Sequence, residues 1–257
     1  MALHLVDAHC YLPIKYFTKE WEINLMKWEQ TGLSAIIGVS TTVKECERIL
    51  NLAHDSSIII PAVGLHPWKI KKPIDRYNVY SYFDQLISEH PEIQIIGEVG
   101  LDFYNIRQRE RYPFQRDTFS LFCSLSKQHN LQMIIHSPGA EMEILLGLKQ
   151  YGIPGDRCVF HWFSGDPDEL QKIIDYGCFF SITLAVAYSE RHQYAAVNAP
   201  KNKILTESDG DVKYRTGIRG SPLIIPHIVE LLARLWQWNL ESVQNQVWEN
   251  FLSFYTK

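Results

Sequence analysis

The chain has 257 residues, of which 46% are hydrophobic and 21% charged, a composition typical of globular proteins. Its formal net charge of −4 argues against a protein that coats nucleic acid along its length, although it permits a local basic surface. The five cysteines are scattered and form no CxxC pair, which argues against a disulfide framework and a zinc ribbon. Because α/β barrels commonly reach this length as one domain, we expect a single domain over residues 1–257.

The sequence contains no apolar stretch of about 18 residues, the length needed to span a bilayer. The first residues also lack the basic flank and long apolar run of a secretory signal peptide. These features predict a cytoplasmic protein with no membrane partner.

Short apolar runs alternate with helical patterns along the chain. The runs are almost continuously apolar, which is typical of parallel strands that are covered on both faces. The predicted strands are residues 3–9, 34–40, 57–66, 93–102, 131–137, 157–163, 178–183 and 202–209.

Several helices between these runs have recognisable first residues. Thr42 and Glu45 form a capping-box pattern ahead of apolar residues at helical spacing. Asp166 and Glu169 predict the start of another helix, which is expected to end near Gly177. Two more helices are predicted at residues 222–236 and 240–255.

Eight strand-then-helix units within about 250 residues are the repeat expected of a (β/α)8 TIM barrel. A doubly wound parallel sheet is the structural alternative, because it has the same alternation of elements. No linker, low-complexity segment or short repeat divides the chain. The sequence therefore predicts an α/β protein with barrel architecture.

Polar residues stand at or just after the ends of six predicted strands. In a barrel these strand ends meet at one mouth, where enzymes of this fold place their chemistry. A single histidine at a strand end is more often structural, and an acidic residue there can simply cap a helix. Six such residues at matching strand ends favour a catalytic metal site. A mixture of imidazole and carboxylate ligands suits zinc, manganese, iron or nickel. The six residues are His9, His66, Glu98, His136, His161 and Asp209.

Seven segments, in order along nearly the whole chain, resemble the TatD family of metal-dependent deoxyribonucleases, which are amidohydrolase-like TIM barrels. The most specific are IGEVGLDF at 96–103 and HWFSG at 161–165. The others are VDAHCY at 6–11, GLHP at 64–67, IIHS at 134–137, LTESD at 205–209 and ENFLSFY at 249–255. The resemblance implies hydrolysis of DNA phosphodiester bonds, usually at 3′ ends of single strands, with one or two divalent ions such as zinc, manganese or magnesium.

The resemblance also implies a role for each of the six residues. Glu98 would bridge two metals, His136 and His161 would complete one site, and His9 with Asp209 would hold the other. His66 would face the substrate phosphate. Asp209 could also act as the general base if one oxygen contacted the attacking water. The implied catalytic residues are thus Asp209, Glu98 and His66.

The first strand departs from the family pattern Asp-x-His-x-His. Asp7 and His9 match it and share one face of the strand, but Tyr11 stands where the second histidine is expected. A neutral phenol with a pKa near 10 is a poor metal ligand, so we expect a weaker metal site at His9 and Asp209, with Tyr11 facing the substrate. Pro138 likewise replaces an arginine that would clamp phosphate.

Three predicted mouth loops combine cationic and aromatic residues, as proteins that bind single strands do. These loops cover residues 68–72, 104–116 and 211–219. The alternative is a solvated surface with incidental aromatic residues. The candidate phosphate contacts are Arg107, Arg109, Lys213 and Arg215, and the candidate stacking residues are Trp68, Tyr104, Tyr112 and Tyr214.

Two alternatives to a DNA hydrolase stay open. Related barrels hydrolyse other bonds, such as cyclic amides, but commonly use a carboxylated lysine where Glu98 stands here. The chain could instead be a TatD-like subunit of a multi-protein system, such as an anti-phage defence cassette, with altered or reduced activity. The protein partner would then come from the same gene cassette.

Overall fold

The structure is a computed structural model that describes residues 4–256. Within that range, eight parallel strands alternate with helices. The strands are β1 (Leu5–Cys10), β2 (Leu33–Val39), β3 (Ile59–Val63), β4 (Ile95–Gly100), β5 (Gln132–His136), β6 (Cys158–Phe160), β7 (Phe179–Ile182) and β8 (Ile204–Thr206). The α-helices are α1 (Lys15–Thr18), α2 (Trp21–Gln30), α3 (Val43–His54), α4 (Arg76–Glu89), α5 (Tyr112–His129), α6 (Glu141–Tyr151), α7 (Pro167–Tyr176), α8 (Glu190–Asn198), α9 (Ile225–Trp236) and α10 (Leu240–Tyr255).

The sheet runs in chain order from β1 to β8 and then closes on itself. The backbone N–H of Asp209 donates to His9 O at 3.0 Å, and that of Tyr11 donates to Gly210 O at 2.7 Å. Cys10 and Gly210 also form a parallel bridge. The first and last strands of an open doubly wound sheet would not meet in this way, so the TIM-barrel prediction is confirmed.

Seven of the eight strands are buried along their whole length, and β2 is buried except at Ser34. Barrel side chains cover the inner face and helices cover the outer face, which explains the nearly continuous apolar runs of the sequence. The predicted strands 57–66 and 202–209 are longer than β3 and β8. Their last residues leave the ladder and turn into the mouth, where Asp209 has a left-handed φ of 43°.

The predicted helix starts are also found. The Asp166 side chain accepts from the backbone N–H of Glu169, and the Glu169 side chain accepts from the backbone N–H of Asp166. Gly177 ends the helix in a left-handed conformation. At α3 the box is shifted by one residue: Thr42 accepts from the Glu45 N–H, but Glu45 accepts from Thr41 N at 2.8 Å. None of the helices that the structure describes is long and apolar enough to cross a membrane.

A glycine brings two site strands together. Gly100 has a φ of 148° and lies so close to β5 that a Cβ atom would stand 1.9 Å from His136 O. The next residue, Leu101, donates its N–H to that same carbonyl at 3.0 Å. A side chain at position 100 would therefore push β5 away from β4, which carries Glu98.

Candidate metal centre

The carboxyl ends of the strands open onto a cavity of about 670 Å³. Its wall contains Tyr11 and four of the six predicted site residues: His66, His136, His161 and Asp209. The other two, His9 and Glu98, are fully buried. The structure thus brings together all six residues that the strand-end pattern selected.

Glu98 is the centre of the cluster. Its Oε1 lies 2.8 Å from His136 Nδ1, 2.8 Å from His161 Nε2 and 3.2 Å from His66 Nε2. Its Oε2 lies 3.2 Å from His9 Nε2 and accepts the hydroxyl of Tyr11. One carboxylate therefore meets four imidazoles and a phenol.

His136, His161 and Glu98 have the spacing of metal ligands. His136 Nδ1 and His161 Nε2 are 3.2 Å apart and both face Glu98 Oε1. Ligand atoms roughly 2.0–2.1 Å from a tetrahedral ion lie about 3.3 Å from one another. Each ring also presents its other nitrogen to a carboxylate, the usual arrangement around a ligating histidine. These residues fit one divalent ion, the grouping that the family resemblance implies.

His66 is also close to Glu98, but its hydrogen bonding makes it a poor ligand. Its Nδ1 accepts the backbone N–H of Trp68 at 3.1 Å and therefore carries no proton. In the neutral ring the proton then lies on Nε2, 3.2 Å from Glu98 Oε1. Burial and the neighbouring His136 outweigh Glu98 and lower the pKa of His66, which favours this neutral donor form.

The site at His9 is less well formed. His9 Nε2 faces Glu98 while its Nδ1 is 3.2 Å from Asp209 Oδ1, so the two carboxylates stand on opposite sides of the ring. Neither His9 nitrogen nor Asp209 Oδ1 makes a hydrogen bond within residues 4–256, although all three atoms are buried. Buried polar atoms without partners are costly, and a bound cation would satisfy them. One ion cannot contact both carboxylates through His9, so a second ion would lie between His9 and either Glu98 or Asp209, with Tyr11 occupying one oxygen of Glu98.

Two carboxylates that sequence reasoning did not select support the ligand rings. Asp102 Oδ2 is 2.8 Å from His136 Nε2. Glu207 Oε1 is 3.5 Å from His161 Nδ1 and accepts the N–H of Trp162 at 2.8 Å. Asp102 lies in the IGEVGLDF segment and Glu207 in the LTESD segment. Membership of these family-like segments is the sequence feature that could have identified both residues.

The cluster attracts positive charge. Burial acts to raise the pKa of Glu98, but the surrounding imidazoles outweigh it and lower that pKa well below the usual value. Burial acts to lower the pKa of His161, yet Glu98 and Glu207 raise it well above its usual value. A divalent ion at this position would neutralise the negative charge of Glu98 as protonated imidazoles do, and the imidazoles could then stay neutral.

The mouth loops only partly match their prediction. Trp68, Lys69 and Tyr104 line the cavity, and the two aromatic side chains are 50% and 71% exposed. The prediction that Tyr214 stacks on bases is wrong, because its ring is buried and its hydroxyl donates to Ser208 O at 2.8 Å. Tyr112 packs on Phe103 with ring centroids 4.1 Å apart and donates its hydroxyl to Ile106 O, so it supports the loop.

The four predicted phosphate contacts are not among the residues that line the cavity. Arg107, Arg109, Lys213 and Arg215 are exposed. Arg215 lies over the ring of Tyr188 at 5.6 Å. Arg107 and Arg109 form no ion pair with any residue that the structure describes, so both are available to a polyanion.

A closed parallel barrel with imidazoles and carboxylates at the carboxyl ends of its strands defines a metal-dependent hydrolase of the TIM-barrel class. The family model described as "TatD related DNase" matches residues 6–256. The chain therefore belongs to the TatD family.

Relatives and solved structures agree with this assignment. The chain is 26% identical, over 98% of its length and 97% of the relative's, to a protein of Methanocaldococcus jannaschii named "Uncharacterized metal-dependent hydrolase". It is also 26% identical, over 100% of its length and 90% of the relative's, to a Mus musculus protein named "Putative deoxyribonuclease TATDN3". The crystal structure of the TatD homologue YjjV from Escherichia coli superposes with a TM-score of 0.90 at 21% identity, covering 100% of both chains.

Proposed function

We propose that the protein hydrolyses phosphodiester bonds of DNA with a metal-activated water and trims single strands from their 3′ ends. The observation that carries this proposal is the convergence of His136 and His161 on Glu98 Oε1 beneath a cavity of about 670 Å³. The name of the mouse relative, "Putative deoxyribonuclease TATDN3", supports the same substrate class.

One or two divalent ions, zinc, manganese or magnesium, would be held by His136, His161 and Glu98 and more weakly by His9 and Asp209. Bound there, such ions supply hydroxide near neutral pH and neutralise charge on phosphoryl oxygens.

Two residues of the chain can then handle protons. Asp209 lines the cavity, and with one carboxylate oxygen on an ion its other oxygen can take the proton of the attacking water. His66 carries its proton on the nitrogen that faces Glu98, where it can donate to a phosphate oxygen that enters the cluster.

The cavity wall favours a single strand over a duplex. Trp68 and Tyr104 offer exposed rings on which unpaired bases can stack, and Lys69 lies next to Trp68. Arg107 and Arg109 are exposed and form no ion pair with the residues described in the structure, so they can contribute positive charge to strand binding.

The test uses end-labelled single-stranded DNA and metal-stripped protein supplied separately with Mg²⁺, Mn²⁺ or Zn²⁺. We expect metal-dependent shortening of a 3′-terminal strand by the wild type and its loss in Asp209→Asn. Asp55→Asn, an exposed aspartate at the end of α3, is the matched control and should cut normally. No shortening with any metal would favour the alternatives, a different substrate or a subunit of a defence system.

A further inference from the structure

Asp102, just beyond β4, is a buried hub that no part of the proposed reaction uses. Its side chain is fully buried and accepts hydrogen bonds through both oxygens. Oδ2 accepts Trp68 Nε1–H at 2.6 Å and faces His136 Nε2 at 2.8 Å. Oδ1 accepts the backbone N–H groups of Tyr104 at 3.1 Å and Asn105 at 2.7 Å.

These bonds join three parts of the site. Trp68 belongs to the loop after β3, Tyr104 and Asn105 belong to the loop after β4, and His136 ends β5. All four residues line the catalytic cavity. The carboxylate therefore fixes a candidate metal ligand, the Trp68 ring and the backbone at Tyr104 relative to one another.

Trp68 is placed to contact whatever is bonded to a phosphate at the metal cluster. Its ring centroid lies 5.1 Å from that of His66 and 5.9 Å from that of His136. Half of the residue is nevertheless exposed, and its one polar atom is already bound to Asp102. What it offers to the cavity is an apolar face, which suits the flat surface of a nucleobase.

We propose that Trp68 is the stacking platform for the nucleobase next to the scissile phosphodiester, and that Asp102 is the positioning residue that holds this platform in register with His136. This inference rests on the proposed function, because it names the part of a DNA strand that the site recognises. Asp102 acts through Trp68 and His136 and contacts no substrate atom itself.

The test measures binding of two strands that carry a non-hydrolysable 3′-terminal linkage to the metal-loaded protein. One DNA strand ends in 2′-deoxyadenosine (the adenosine strand) and the other ends in an abasic deoxyribose residue. For the wild type we expect the adenosine strand to bind roughly 5- to 150-fold more tightly, the range of base stacking on an aromatic side chain. Trp68→Ala should reduce this ratio to near one.

The ratio separates stacking from a folding defect, because a damaged mouth weakens binding of both strands. Trp238→Ala is the matched control, since Trp238 follows α9, at the end of the barrel opposite the mouth, and is 40% exposed. It should keep the wild-type ratio. An unchanged ratio in Trp68→Ala, or loss of the ratio in Tyr104→Ala alone, would overturn the role of Trp68.

The positioning role of Asp102 is tested by a double variant. Trp68→Phe keeps a ring but removes the bond to Asp102, and Asp102→Asn disturbs the same bond from the other side. If Asp102 acts through Trp68, each change lowers the base-dependent ratio by a similar factor and the double variant lowers it no further. If the double variant instead lowered the ratio by the product of the two single-variant factors, the two changes would act independently and the positioning role would be overturned.

The outcomes also separate this inference from the nuclease proposal. Strand shortening without any preference for the adenosine strand would overturn the inference alone. Base-dependent binding without shortening under any metal would support the stacking role of Trp68 and overturn the nuclease. Failure of both strands to bind, with no shortening, would overturn both.

Discussion

Tyr11 stands where the TatD-like pattern of the first strand predicts a second histidine, and it predicts an unequal pair of metal sites. Its hydroxyl donates to Glu98 Oε2, the oxygen on the side of His9. Burial and Glu98 raise the pKa of Tyr11 well above its usual value, so it stays a neutral donor. A neutral phenol contributes little to holding an ion.

We therefore predict that Tyr11→His increases bound metal from about one to about two ions per chain, because it adds an imidazole beside His9. Equilibrium dialysis followed by elemental analysis measures this stoichiometry. Tyr11→Phe removes the donor without adding a ligand and should stay near one ion. A stoichiometry that does not differ among the three proteins would show that Tyr11 does not limit the second site.

Asp7 illustrates a different residue-scale effect, the cost of burying a carboxyl group. Its Oδ1 accepts the N–H of Ser208 at 2.8 Å, but its Oδ2 is buried with no hydrogen bond in the described part of the chain. Burial outweighs the bonds from Ser208 and raises the pKa of Asp7 to about 7.

The sign of the pH effect follows from this shift. Folded protein binds the Asp7 proton more tightly than unfolded protein, so Asp7 lowers stability as pH rises from about 4 to about 7. Asp7→Asn should remove that loss. Urea unfolding of metal-free protein at several pH values would then show a free energy of unfolding that falls less between pH 4 and 7 in the variant than in the wild type. The control is Asp55→Asn, and parallel curves for wild type and Asp7→Asn would contradict the assignment.

At the scale of elements, the loop after β4 contains arginines with two different roles. Arg111 donates Nε–H to Ile70 O at 3.0 Å and Nη2–H to Trp68 O at 2.9 Å, so it ties this loop to the one after β3. Arg107 and Arg109 are exposed and form no such bonds with the part of the chain that the structure describes. The sequence could not distinguish them, because backbone acceptors leave no residue pattern.

We predict that the double variant Arg107→Gln with Arg109→Gln weakens single-strand binding and lowers its salt dependence. Losing two phosphate contacts should reduce the slope of log affinity against log salt by about 1.4. Affinity measured at several salt concentrations tests this. Arg48→Gln with Arg234→Gln, exposed on α3 and α9, is the matched control, and an identical slope in both double variants would dismiss the loop arginines.

Helix starts and strands were well predicted because they depend on neighbours in the chain. Asp166 and Glu169 form the predicted box since both partners lie within one turn. Glu45 bonds one residue earlier than expected, to Thr41, which shows the limit of such patterns at element ends.

At the scale of the whole molecule, metal binding should stabilise the barrel. The ligands come from β1, β4 and β5 and from the segments after β6 and β8, so an ion would cross-link strands that are distant in sequence. An ion at 100 times its dissociation constant adds about 2.7 kcal/mol, and each kcal/mol raises the Tm of a domain this large by about 2–4 °C.

We thus predict that a chelator lowers the wild-type Tm by about 5–10 °C relative to saturating metal. Glu98→Gln should show little metal-dependent shift, because Glu98 faces both candidate ion positions. Differential scanning calorimetry with and without metal measures both. A Glu98→Gln shift equal to that of the wild type would contradict a shared role for Glu98.

The sequence by itself determined the alternation of strands and helices and selected the six strand-end residues, because strand periodicity and strand-end position are properties of consecutive residues. The tertiary structure decided that the sheet closes into a barrel rather than staying open. Only the tertiary structure decided what those residues contact. His66 became a hydrogen-bond donor through the backbone of Trp68, and Asp102 joined His136 to Trp68, each of which lies 34 positions from Asp102 in the chain. Such contacts depend on side-chain directions and distances at the closed mouth of the barrel, which no local pattern encodes.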